Sequence, residues 1–246
     1  MRRMIGAVVV GLLATAAVQA HALYVVANLG NATTQIALVF SDDLNPDPRV
    51  KDATWKKLDG TKLTVKTRTG TVTEVKTEKG EACLKAAYAV TEAGSDPSVI
   101  FTTVDYGVST KGEKASRVFF YPKGIVGEVP ADGGKLAVSE ANRSLDGGKL
   151  GEKCGLEVVP KVEGGKVRFQ VLAAGKPVKD AKVSVMLPKD DAKDTATTDE
   201  AGWTQAFDGA GRYGVTVRHV EAKGGEVNGT KYEQTSHVAT LVVDVK

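Results

Sequence analysis

The chain has 246 residues, a formal net charge of +3, and 42% hydrophobic but only 6% aromatic residues. That length suits one large or two small domains with modest cores. Near-neutral charge, with lysines and acids interspersed rather than blocked, excludes an electrostatic case for nucleic-acid binding.

The N-terminus begins with Arg2 and Arg3, followed by an uncharged apolar or small run from Ile5 to Val18. That run falls short of the roughly 20 apolar residues a membrane span needs. Small residues follow at signal-peptidase spacing, so residues 1–20 are expected to be a secretory signal peptide, with a retained anchor as the alternative. A cut after Ala20 leaves His21 first; a cut after Ala22 leaves Leu23. Losing Arg2 and Arg3 lowers the formal charge from +3 to +1. No later stretch is apolar enough to span a membrane, and a periplasmic or secreted location is expected.

The rest of the chain lacks helical periodicity. Short Val-, Thr-, Tyr- and Phe-rich runs are broken by Gly, Asp, Asn and Pro, which predicts an all-β fold of two β-sandwich domains. Predicted strands of the first half are Leu23–Asn28, Thr34–Phe40, Lys62–Thr67, Val72–Thr77, Ala82–Ala89, Ser98–Tyr106 and Arg117–Tyr121. Ser41–Arg49 reads as a loop, because its two prolines lack ladder donors. One helical turn is expected within Asp47–Leu58. Gly124–Lys153 reads as a glycine-rich connection leading to a strand at Leu156–Pro160. The expected domains are residues 21–156, β-rich, and residues 157–246, an immunoglobulin-like sandwich. Within the second, Gly175–Val183, Thr198–Gly202 and Gly211–Tyr213 carry turn and strand patterns that resemble small immunoglobulin-like or transthyretin-like modules.

Cys83 and Cys154 are the two cysteines. An even count in an exported chain suits a disulfide, and such a bridge is expected here.

The three histidines are His21, His219 and His237. His219 ends one predicted strand and His237 begins the last one. Between them lies Asn228-Gly229, a strong hairpin-turn signal. Each histidine stands nine residues from position 228, which predicts that they face each other across the hairpin. Opposed side chains have Cβ atoms about 4.5–5.5 Å apart, close enough to share a metal ion. A one-residue slip in the turn would instead put them on opposite faces. If His21 is the first residue, its α-amine and ring can chelate too, and a nitrogen-rich site suits Cu(II) or Ni(II). A hydrogen-bonded surface pair and a frayed terminus remain the bland alternative.

Arg218-His219-Val220-Glu221, Gly229, Tyr232, His237 and Ala239-Thr240-Leu241, with Ala20-His21 at the cleavage site and Phe120-Tyr121-Pro122-Lys123, resemble the NikM-like periplasmic proteins linked to nickel/cobalt uptake transporters. The chain departs from that family after His21, where Ala22-Leu23-Tyr24 replace an acidic residue or second histidine. The resemblance implies histidine ligands for a divalent transition metal (nickel, cobalt or copper) outside the inner membrane, with a metal-uptake transporter as a partner.

Three functions follow. The first is an exported protein that captures or hands on a divalent transition metal through His21, His219 and His237. The second is a structural or adhesion-like sandwich without metal. The third is a copper enzyme with an N-terminal histidine brace. No Ser-His-Asp set with clear context and no H-E-x-x-H motif is present, so no enzymatic activity is expected. Asp42, Asp43 and Asp47 lack the spacing of an EF-hand and read as solvated turn residues. Trp55 and Trp203 read as packing residues.

Overall fold

The computed structural model describes residues 21–30, 32–67, 69–90, 97–129, 149–151, 154–188 and 193–245. The expected signal peptide lies outside them. The described elements in chain order are β1 (Ala22–Asn28), β2 (Thr33–Ser41), α1 (Asp52–Lys57), β3 (Lys62–Thr67), β4 (Val72–Lys76), β5 (Glu78–Lys79), β6 (Leu84–Ala89), β7 (Pro97–Phe101), β8 (Val104–Ser109) and β9 (Ser116–Val129). They continue with β10 (Glu157–Glu163), β11 (Lys166–Ala173), β12 (Lys176–Pro177), β13 (Lys182–Met186), β14 (Lys193–Thr197), β15 (Phe207–Asp208), β16 (Gly211–Glu221), β17 (Gly225–Val227), β18 (Thr230–Tyr232) and β19 (Gln234–Val245). The protein is an all-β sandwich, and α1 supplies the helical turn expected before Leu58.

A nine-stranded sheet runs in the order β14-β13-β16-β19-β9-β7-β3-β4, with β8 also paired to β9. Its centre is a parallel ladder between β9 and β19, so strands from both sides of residue 157 share one sheet. Alternation along these strands sends successive side chains to opposite faces. On one face, Val118, Phe120, Val238 and Val242 pack with Leu23, Val25, Ile36 and Leu38 of the β1–β2–β6–β5 sheet. On the other, Tyr121, Ile125, Leu241 and Val243 pack with Val158, Phe169 and Val171 of the β10–β11–β12 sheet.

Two expectations are corrected. Gly124 to Val129 continues β9 and is not part of the connection. Gly124 belongs there because a side chain would crowd the backbone carbonyl of Val25, so the bare backbone lets β1 approach the sheet. The expected disulfide is absent: Cys83 and Cys154 are buried free thiols, one in each hydrophobic cluster, on opposite faces of the large sheet.

The second cluster also encloses an ion pair. Lys123 Nζ and Glu157 Oε2 are 3.4 Å apart, with both side chains 2% exposed. Glu157 further accepts hydrogen bonds from the backbone N–H groups of Leu150 and Gly151. The turn pattern of the second module is also in place. Thr198 donates to the Val178 carbonyl and accepts from the Ala181 N–H, and Tyr213, fully buried, donates to the Gly209 carbonyl.

Candidate functional site

The hairpin turn forms as its sequence predicts: Asn228 and Gly229 both take positive φ, and Val227 pairs with Thr230. A two-residue turn centred there would, if the ladder continued unbroken, set His219 opposite Val238. The structure instead pairs His219 with His237. The difference is absorbed where the tip meets the long ladder. Between the pairs Glu221–Thr235 and Gly225–Tyr232, the outgoing strand carries three residues, 222–224, and the returning strand two, 233–234. The extra residue is held by a Lys223 N–H to Glu221 carbonyl bond of 2.7 Å and by the Thr235 hydroxyl donating to the Lys223 carbonyl. Gly224 fits this kink because a Cβ would lie 2.8 Å from the Tyr232 carbonyl oxygen. One inserted residue therefore restores the histidines to one face, as a bulge does.

That face is the rim of the second cluster. His237 lies beside Phe119, its neighbour across the parallel ladder, with ring centroids 5.6 Å apart, and against Tyr121 at 5.8 Å, both stacked. The Arg117 guanidinium covers Phe119 at 4.9 Å and pairs with Asp105. Tyr121 Oη and His237 Nδ1 are 2.9 Å apart. The other ring nitrogen, Nε2, is buried without a hydrogen-bond partner, and Glu221 Oε1 lies 3.8 Å from it. Glu221 follows His219 by two residues on β16 and so shares its face. Burial holds His237 below the usual histidine range; Glu221 opposes this, while His219 and Lys223 reinforce it. Burial also pushes the Tyr121 hydroxyl up to about 12, so it keeps its proton at neutral pH.

His21 is elsewhere. It precedes β1 and stacks on Phe40 at 5.9 Å, and Phe40 meets Phe120 edge-on. Phe119 and Phe120 point to opposite faces of the sheet, so His21 lies across the sheet from His237. Its Nε2 is 2.8 Å from Asp47 Oδ2, and its Nδ1 is 3.6 Å from Asp42 Oδ2. Asp47 also accepts the side chain and backbone N–H of Arg49, which, with His21, hold its carboxyl well below the usual range. Both ring nitrogens of His21 thus face carboxylates.

The structure therefore brings together two of the three predicted ligands and separates the third. Among the described residues, no group of three or more His, Cys, Asp or Glu side chains is gathered to hold a metal ion. Sequence reasoning missed Tyr121 and Glu221 as neighbours of His237. The signal for Glu221 was its i+2 spacing from His219; Tyr121 arrives through the parallel β9–β19 ladder, which local patterning does not reveal.

No protein-family model matches the chain, and no curated protein sequence matches it. Among solved structures it is similar to one described as "Structural insight into host cell surface retention of a 1.5-MDa bacterial ice-binding adhesin", at 12% sequence identity and a TM-score of 0.22. That alignment covers 92% of this chain and 66% of the adhesin chain, so the chain spans slightly less than two thirds of it. At that TM-score the likeness describes neither a shared fold nor a shared function.

Proposed function

We propose that the protein is an exported carrier that captures a divalent transition metal ion at the His219–His237 pair, beside the Glu221 carboxylate. The metal is cargo, and an inner-membrane metal-uptake transporter is the partner this reading implies, in keeping with the resemblance to NikM-like proteins. One observation carries the reading: His237 Nε2 is buried without a hydrogen-bond partner beside a carboxylate and opposite a second histidine. A buried polar atom left unpaired costs about 1–3 kcal/mol, and an ion bound there would remove that cost. Imidazoles are ordinary donors for zinc, nickel or copper. His21, across the sheet with both nitrogens facing carboxylates, has no part in this site.

A structural role is the competing reading. It is favoured by the stacking of His237 on Phe119 and Tyr121, which needs no metal.

Titration calorimetry of the processed chain with Ni(II), Co(II), Cu(II) and Zn(II) separates the two. The metal reading expects one ion per chain with a Kd below about 100 μM, roughly −5.5 kcal/mol. His219→Ala is the cleaner variant, since His237→Ala would also strip Tyr121 of its partner; it should weaken binding at least tenfold with an unchanged β spectrum. No saturable binding of any of the four ions would leave the structural reading standing.

A further inference from the structure

We infer that Tyr121 is the positioning residue of the His219–His237 site, and that its hydrogen bond to His237 reverses direction when a metal binds. The inference rests on the metal reading above. A neutral imidazole carries one proton, on Nδ1 or on Nε2, and the partner of one nitrogen decides what the other can do. In the metal-free protein the Glu221 carboxylate, 3.8 Å from Nε2, favours the proton there. Nδ1 is then an acceptor, and the Tyr121 hydroxyl, 2.9 Å away, donates to it. A metal ion needs the Nε2 lone pair. The ring stays neutral only if its proton then sits on Nδ1, where it must be donated outward.

A hydroxyl serves both states, because it can donate or accept. A backbone carbonyl at the same place would fix one tautomer, and a phenylalanine would support neither. The hydroxyl is held by its surroundings. Tyr121 is buried, and its oxygen packs over Gly155 so closely that any Cβ at 155 would collide with it. Gly155 has no positive φ, so the missing side chain there serves the contact and not the backbone. The Tyr121 ring also stacks on His237, which fixes the imidazole plane. Partners of this kind that hold metal-ligating histidines change affinity by about 10–100-fold when removed.

The test is long-range proton–nitrogen NMR of processed protein carrying nitrogen-15 histidine, before and after Zn(II), with Tyr121→Phe and Gly155→Ala alongside. Before zinc, His237 should be the Nε2-protonated tautomer. After zinc, the proton should be on Nδ1, with Nε2 and a His219 nitrogen shifted by the metal. Tyr121→Phe should bind zinc about tenfold more weakly. Gly155→Ala, which keeps the phenol but displaces its oxygen, should behave likewise. An Nδ1-protonated His237 before zinc, or wild-type zinc affinity in Tyr121→Phe, would overturn the reversal while leaving the metal site intact. No zinc-induced change at either His219 or His237 would overturn the metal reading, and the reversal with it. The wild-type spectra decide the tautomer even if a variant fails to fold.

Discussion

The two faces of the central sheet treat their histidines differently. On the β1–β2 face, His21 lies between Asp42 and Asp47 at a loop, and Asp47 also pairs with Arg49. On the β10–β11 face, Lys123 and Glu157 are enclosed, and His237 lies at the cluster's rim with one nitrogen unpaired. The same residue type has both ring nitrogens facing carboxylates on one face and one ring nitrogen unpaired on the other. The lesson is that a histidine's capacity for new chemistry depends on what its second nitrogen lacks, more than on where the residue falls in the sequence.

The largest effect that would sharpen this contrast lies at the enclosed pair. Glu157→Ala leaves the Lys123 ammonium buried without its carboxylate, and losing one partner of a buried pair costs about 3–5 kcal/mol. Burial already pulls the Lys123 amine below its usual range, with Glu157 working against that. Lys79→Ala, which removes an exposed pair with Asp52 on the β1–β2 side, should barely move the denaturation midpoint. Equal midpoint losses in urea unfolding would erase the difference between the faces.

Next comes the hairpin register. Deleting Gly224 removes the extra residue, so the tip and the long ladder would share one register, with Val238 opposite His219. A slip of one residue reverses every side chain on the strand. Metal binding should disappear while the turn at Asn228-Gly229 persists, read by calorimetry and by cross-strand proton contacts in NMR. Retained wild-type affinity would show that the pairing of the histidines does not matter.

The smallest effect is on pH. His237 has a folded pKa below its ordinary value, about 6.5, so below that value the unfolded chain binds more protons than the folded one. Its contribution to stability is complete above about pH 6.5 and declines as pH falls from there toward the folded value. Thermal unfolding of His237→Gln should show a shallower fall between pH 7 and 5 than the wild type. Parallel pH curves would mean that His237 is not held neutral by burial.

Much of this arrangement was legible locally. Lys62–Thr67 is a strand with the predicted ends, the helical turn lies before Leu58, and Asn228-Gly229 turns the chain as its backbone preferences require. The pairing of His219 with His237 was also legible, but the count from position 228 omitted the second turn residue. The kink at 222–224 supplies the compensating residue. What was not legible is non-local. Gly124 reads as loop chemistry until β1 is seen lying against it. The parallel β9–β19 ladder, which delivers Phe119 and Tyr121 to His237, joins segments more than a hundred residues apart. The cysteines shared a compartment argument, but the sheet lies between them. His21 was expected to converge with the other two, and the strict alternation of β9 shows why it does not.

The most direct test of the histidine-pair site is X-ray absorption at the edge of bound Ni(II) or Zn(II), counting imidazole ligands in the wild type, His219→Ala and His21→Ala. The account predicts two imidazoles in the wild type, one in His219→Ala, and two in His21→Ala. Loss of an imidazole in His21→Ala, with His219→Ala unchanged, would place the ion on the other face of the sheet and contradict it.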